Sequence, residues 1–283
     1  AGHYVDHIET WFLLNEADAP EIISLGLSSE TISGLSEPGH PFPRPYIHNR
    51  LSRVLERVLP DRVIACYGMN CAIYHPWSDE RFAAYRAGVE KLIGEVEAIG
   101  ADLVLLTPPP FASRIYPQSG PAAGDPHGYG QPAANYGDVL AGYAAWIMSL
   151  DARKGVRVID IRPGLDRFME ASYPREPVHP NPFGHELMAE SFLRGLGRET
   201  ESTVLETGIS DRETDPRWVA LHALVRQQRE TWDQSLLNDI GHGNPHARER
   251  LGLPLPLAED KVREINAQID ALVSSDQGAA EMR

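Results

Sequence analysis

Cysteine is almost missing from this chain: its 283 residues include two, Cys66 and Cys71. That is too few for a disulfide framework, and nothing resembles a paired-thiolate zinc site. Long apolar runs are missing too. None approaches the roughly 18 uninterrupted residues of a membrane helix, so no span is expected. Positive charge is scarce, with 26 Lys+Arg against 40 Asp+Glu and a formal charge of −14. A binder of phosphate backbones needs a basic face, so a nucleic-acid partner is not expected. The sequence has no G-x-G-x-x-G and no phosphate loop, which disfavours a nucleotide-binding protein. The first residue is Ala1, without a charged-then-apolar leader, and the compartment is not readable from this sequence.

What is present is ordinary globular material, 42% hydrophobic and 23% charged. Four short apolar runs read as strands: Glu21–Leu25, Arg62–Cys66, Leu103–Thr107 and Val156–Ile161. They do not alternate polar with apolar, as expected of strands covered on both faces. Helical patterns lie between them at Tyr4–Leu14, Ile47–Val58, Asp79–Ile99, Asn135–Leu150 and Gly184–Leu196. Ser78 is placed to cap the third of these. Strands alternating with helices predict βαβ units and a parallel sheet. Beyond residue 198 the alternation stops, and 212–238 and 258–274 read as two helices joined by a turn-rich stretch. The expected organisation is an α/β domain over residues 1–198 and a helical extension over 199–283.

Two connections, Pro38–Pro45 and Pro108–Gly130, are long and rich in Pro and Gly. Both follow predicted strands and are expected on the carboxyl edge of the sheet, where open α/β folds bind ligands.

Three segments could carry chemistry. In Glu176-Pro-Val-His179-Pro an acid stands three residues before a histidine, in a proline-constrained turn ahead of a helix. A carboxylate bonded to one ring nitrogen sets the tautomer and leaves the other nitrogen free as a base. His185, at the start of that helix, reads as structural. Tyr67-Gly-Met-Asn70 follows the second predicted strand and could offer the Asn70 amide to a developing oxyanion; Asn is also common in turns. Leu25-Gly26-Leu-Ser-Ser-Glu-Thr follows the first, where Gly26 has no side chain to obstruct its N–H, or simply makes a tight turn.

Together these segments resemble the SGNH hydrolases, the GDSL-type esterase and lipase family. Gly26 matches the family's second block, Gly68-Met69-Asn70 its third, and Glu176-Pro-Val-His179-Pro with Gly184-His185 its last. The match covers roughly residues 1–197. The resemblance implies a three-layer α/β sandwich with a parallel sheet in flavodoxin-like order. It also implies a Ser-His-acid esterase, with His179 as base, Glu176 orienting it, and Gly26 and Asn70 in the oxyanion hole. The substrate expected is a small ester, an acylated carbohydrate among the options, with no metal or organic cofactor.

The chain departs from the family in three places. Glu176 stands where Asp is usual, and Cys71 follows Asn70 where the family has Asp. The first block, Gly-Asp-Ser, occurs nowhere in these residues. Ala1-Gly-His-Tyr-Val-Asp-His-Ile reads like the segment that follows that block. The nucleophilic serine is therefore expected just upstream of Ala1, on a strand between those at 21–25 and 62–66. A rival nucleophile is Ser28 or Ser29, which would need a sharp elbow of its own. A rival class is a catalytically inactive module that binds a carbohydrate or other ligand on the same fold.

Four further residues are candidates for substrate contact. Trp77 and Tyr116, like Tyr129, are loop aromatics that could form a platform for a sugar or acyl chain. Trp232 and His242, in the extension, could line the acyl or leaving-group pocket. Simple packing is the plainer reading of all of these.

Overall fold

Leu103, Val104, Leu105 and Leu106 are 3%, 2%, 3% and 1% exposed, so this strand is covered on both faces. The computed structural model describes residues 3–123, 125–249 and 252–280. Ala1 and Gly2, at the head of the segment compared with the family's first helix, lie outside them. So do Gly124, in the long proline-rich connection, and Arg250 and Leu251, in the turn-rich stretch of the extension.

Three strands form one parallel sheet, β1 (Arg62–Cys66), β2 (Asp102–Leu106) and β3 (Val156–Ile159), in that spatial order. Ile64 pairs with Val104, and Leu105 with Val158. Because successive side chains point to opposite faces, Leu103 and Leu105 join one apolar cluster, and Val104 and Leu106 the other. The first cluster is closed by α2 (Leu51–Val58), α3 (Asp79–Ala98) and α4 (Tyr136–Met148), through Leu55, Val89, Leu92 and Leu140. The second is closed by α1 (His3–Asn15) and α7 (Pro182–Gly195), through Ile8, Phe12, Leu187 and Phe192. Helix, sheet and helix make three layers. Short helices α5 (Arg162–Arg167), α6 (Met169–Ser172) and α8 (Val204–Thr207) flank α7.

Local signals fix the helix starts. Ser78 accepts a hydrogen bond from the Arg81 N–H at the head of α3. Asn181 does the same for Gly184 at the head of α7, with Pro182 in the first turn.

The first predicted strand is a correction. Residues 21–25 form no ladder among the described residues. Their backbone is held by side chains instead: Arg229 donates to the Ile22 carbonyl at 3.2 Å and Arg50 to the Leu25 carbonyl at 2.7 Å. An apolar run specifies a strand only where a neighbouring strand completes its ladder, and among the described residues β1 pairs with β2 alone. The outward side of β1 is accordingly open, with Ile64 39% exposed.

Beyond α8 come α9 (Pro216–Ile240), α10 (Pro245–Glu249) and α11 (Leu255–Ala280). Helices α9 and α11 pack through Leu221, Val225, Ile265 and Ile269. Helix α9 also grips α1: buried Arg229 bonds Asp6 at 2.7 Å and Glu9 at 3.0 Å, and pairs with Asp233 at 3.1 Å. Three carboxylates around one guanidinium leave acid in excess. Burial pushes both Glu9 and Asp233 up to about 7.

Candidate active site

All three strands run in the same direction, so the loops after them share one rim. The turn at 174–181 projects onto that rim from the head of α7. Oε1 of Glu176 accepts from the His179 backbone N–H at 2.7 Å and lies 2.6 Å from its Nδ1; Oε2 accepts from the Val178 N–H at 2.8 Å. The carboxylate is thus fixed by backbone before it meets the ring, and Nδ1–H facing Oε1 leaves Nε2 the free lone pair. The longer arm of glutamate reaches the imidazole without distortion of the turn. The His179 side chain is 72% exposed. Val178 and the Pro177 carbonyl, which accepts from the Ala112 N–H at 2.9 Å, anchor the turn to the core and to the β2–α4 connection.

The loop after β1 is held by three tyrosine hydroxyls. Tyr85 donates to the Tyr67 carbonyl at 2.9 Å, Tyr136 to the Met69 carbonyl at 2.6 Å, and Tyr74 to Oδ1 of Asn70 at 2.9 Å. Burial keeps all three phenols well above their usual pKa, so they remain donors at any working pH. With Oδ1 occupied, the amide turns Nδ2 the other way, and its partner among the described residues is the distant Glu30 carbonyl at 3.5 Å. Gly68 is obligatory for a steric reason: a Cβ there would lie 2.3 Å from Cβ of Pro108.

Gly26 is exposed at the end of the 21–25 segment, and a Cβ built on it would meet nothing within 4 Å. Its neighbourhood is tied to the Asn70 loop by a buried ion pair. Glu30 receives Arg50 Nε at 2.7 Å and Nη2 at 2.8 Å, and the Tyr67 hydroxyl at 2.6 Å. Arg50 Nη2 also donates to the Leu25 carbonyl. In a second buried pair, Arg44 donates through Nε and Nη2 to the two carboxylate oxygens of Glu37, each at 2.6 Å. Arg44 stands 5.4 Å from the Tyr74 ring centre and bonds the Ser29 carbonyl. From Asn70 the path to His179 runs over two rings: Tyr74 lies 5.5 Å from Tyr129, and Tyr129 6.3 Å from His179. A relay of contacts through Arg50, Glu30, Tyr67, Tyr74 and Tyr129 thus links the segments that carry Gly26, Asn70 and His179.

Among the described residues, neither Ser28 nor Ser29 bonds an imidazole; each serves through its backbone carbonyl, to Asn244 and Arg44 respectively. Ser29 has φ 65°, the signature of a turn. The cysteines are no substitute, since burial pushes Cys66 up to about 12 and Cys71 up to about 11. His185 packs against His3 and Tyr4 of α1, and burial lowers it to about 3.

The remaining candidates are scattered. Trp77 packs on Phe82 and Tyr143 while staying 43% exposed. Tyr116 is half-buried and donates to the Tyr173 carbonyl at 2.9 Å. Trp232 is half-buried on α9. His242 is 5% exposed, with Nε2 3.2 Å from Asn238 Oδ1 and Nδ1 accepting from the Asn244 N–H. It underlies a clamp in which Asn244 bonds the Ser28 carbonyl at 2.7 Å and Arg53 the Ile240 carbonyl at 2.9 Å. The ion pairs and the tyrosine set have no local signature in the sequence. Glu30 and Arg50 are twenty residues apart, and only Tyr74, one helical turn beyond Asn70, lies near enough for sequence to suggest a partner.

The profile of the GDSL-like lipase/acylhydrolase family matches residues 11–187, well over half of the chain. The chain belongs to this family. Two crystal structures of catalytic mutants of Axe2, an acetylxylan esterase from Geobacillus stearothermophilus, share its fold. One carries a serine-to-alanine and the other an aspartate-to-alanine change. Each superposes with a TM-score of 0.51 at 17% identity, covering 69% of this chain and 81% of the other. No curated protein sequence matches the chain. Membership supports an ester-hydrolysing enzyme in general terms. Among the described residues, no helix is long and apolar enough to cross a membrane.

Proposed function

We propose that the protein hydrolyses a carboxylic ester through an acyl-enzyme, with His179 as general base and Glu176 orienting it. The observation that carries this reading is the 2.6 Å contact between Glu176 Oε1 and His179 Nδ1 beneath a solvent-facing ring. Nε2 takes the proton of a serine hydroxyl as the oxygen attacks the acyl carbonyl. The tetrahedral oxyanion is held by Asn70 Nδ2–H, the Gly26 N–H and the N–H of the serine. His179 then protonates the leaving alcohol, and water repeats the sequence on the acyl-enzyme. The chemistry calls for no metal or organic cofactor.

The serine belongs to a Gly-Asp-Ser block outside these 283 residues, on a strand that pairs with the open edge of β1. The exposure of Ile64 on edge strand β1 supports this reading. The α/β domain ends near residue 198, and the helical extension supports the loop that carries Gly26. The acetylxylan esterase neighbours suggest a small acetylated carbohydrate as substrate.

The missing block favours a second reading, a module that binds such a carbohydrate without turning it over. One experiment separates the two. 4-Nitrophenyl acetate hydrolysis is measured for the 283-residue chain and for a chain extended upstream. Activity in the extended chain that is abolished by His179→Ala supports the esterase. Activity unchanged by His179→Ala, or none in the extended chain, removes it.

A further inference from the structure

The long connection between β2 and α4 encloses an open-mouthed cavity of about 440 Å³. This is within the size range of small-molecule sites. One wall is Ser119, Pro121 and Asp125; the other is His127 with Ala133 and Asn135 at the head of α4. Asn135 occupies the N-cap position of α4 without a side-chain capping bond, so its amide is not used by the helix. His127 lies 5.2 Å, ring centre to ring centre, from His75, whose neighbour Pro76 also lines the space. Nδ1 of His127 and Nε2 of His75 are both buried without a hydrogen-bond partner, an arrangement proteins generally avoid. Burial, then the nearby charge of Arg81 and His127, lowers His75 to about 4, so it is uncharged near neutrality and can donate or accept.

The cavity adjoins the candidate active site. A bridge between Gly128 and Gln131 closes a small loop behind His127, and Tyr129 on that loop faces His179 and Tyr74. The Ala133 N–H, bonded to the Tyr74 carbonyl at 2.8 Å, ties the far wall to the Asn70 loop. A leaving alcohol extending from an ester carbonyl near His179 passes Tyr129 into this space. An imidazole, an amide, a hydroxyl and the Asp125 carboxylate, set between prolines and alanines, suit a ligand with many hydroxyls, no negative charge and apolar C–H faces.

We propose that this cavity is the subsite for the alcohol part of the substrate, a neutral sugar chain whose hydroxyls are read by His127 and, behind it, His75. The assignment rests on the esterase reading for its orientation, but its test does not need turnover. The 283-residue chain is titrated calorimetrically with xylotriose, together with His127→Ala, His127→Gln and His75→Ala, each checked for an unchanged melting temperature. Xylotriose should bind, with affinity falling about three- to tenfold in His127→Ala and less in His127→Gln, which keeps a donor and an acceptor. No binding by the parent chain, or equal binding by all four proteins, overturns the subsite. If the extended chain hydrolyses 4-nitrophenyl acetate and xylotriose does not bind, the subsite fails and the esterase stands. Binding that His127→Ala weakens, with no hydrolysis by the extended chain, keeps the subsite and removes the esterase.

Discussion

The hydroxyl of Tyr74 donates a 2.9 Å hydrogen bond to Oδ1 of Asn70, and this bond decides which end of the amide faces the rim. An asparagine free to flip would offer an oxygen to the oxyanion half the time. Asn70→Ala should lower turnover on the order of 100- to 1000-fold, the usual effect of deleting one oxyanion donor. Tyr74→Phe keeps the ring stacked 4.9 Å from Tyr136 and should cost a smaller factor, in kcat rather than KM. Steady-state kinetics on 4-nitrophenyl acetate check both. Equal kcat for Tyr74→Phe and the parent would show that the amide is oriented by something else.

Glu176 receives three N–H groups, two of them from backbone. In Glu176→Gln the turn retains an acceptor oxygen, while the amide loses the charge that favours a protonated ring. Turnover should fall on the order of 10³- to 10⁴-fold with little change in melting temperature. Unchanged kinetics would leave His179 without an orienting acid.

Glu30 and Arg50 are 1% and 4% exposed at the side chain and tie the Gly26 and Asn70 loops together. Arg50→Ala strands a buried carboxylate and should destabilise the protein by about 3–5 kcal/mol in urea unfolding. Replacing both partners with methionine should recover most of that loss, because no uncompensated charge remains. A single substitution as mild as the double one would mean that water reaches Glu30.

Gly68→Ala places a methyl group 2.3 Å from Pro108 Cβ, and neither loop can yield without moving the Asn70 turn. A loss of about 1–3 kcal/mol is expected, with a fall in kcat larger than that of a surface substitution. Denaturant midpoints and kinetics measured together test this; a neutral effect on both would show that the loops have slack.

The α1–α9 interface should give stability two opposed pH slopes. Burial, then His222 at 4.5 Å, lowers His7 to about 2. An unfolded histidine takes up its proton near 6.5, so between 6.5 and about 2 the unfolded chain binds more protons and stability falls on acidification. Glu9 and Asp233, raised to about 7 by burial, keep protons that the unfolded chain releases near 4, so between 4 and 7 stability falls as pH rises. His7→Phe should flatten the acid limb and Glu9→Gln the opposite one. Urea midpoints at unit steps from pH 4 to pH 8 read both slopes, and parallel curves for the parent and His7→Phe would remove His7 as a cause.

The amino-acid order by itself determined the layers and the chemistry-bearing turn. The apolar run that opens at Leu103 is covered on both faces as its pattern demands, because a strand with no polar alternation has no face to give to water, whereas the run at 62–66 keeps Ile64 39% exposed. Glu176 and His179 meet because a three-residue spacing between prolines leaves the carboxylate few other places to go. What lies far apart in the chain was decided only by the tertiary fold. The run at 21–25 has strand composition, yet its hydrogen bonds go to Arg229 and Arg50, since a ladder depends on a neighbour that local sequence does not specify. Tyr85 from α3 and Tyr136 from α4 converge with Tyr74 on the loop after β1, and Arg50 reaches back twenty residues to Glu30. His242 becomes part of a clamp on the Ser28 loop through Asn244. Burial makes each of these pairings obligatory, and burial is a property of the assembled layers.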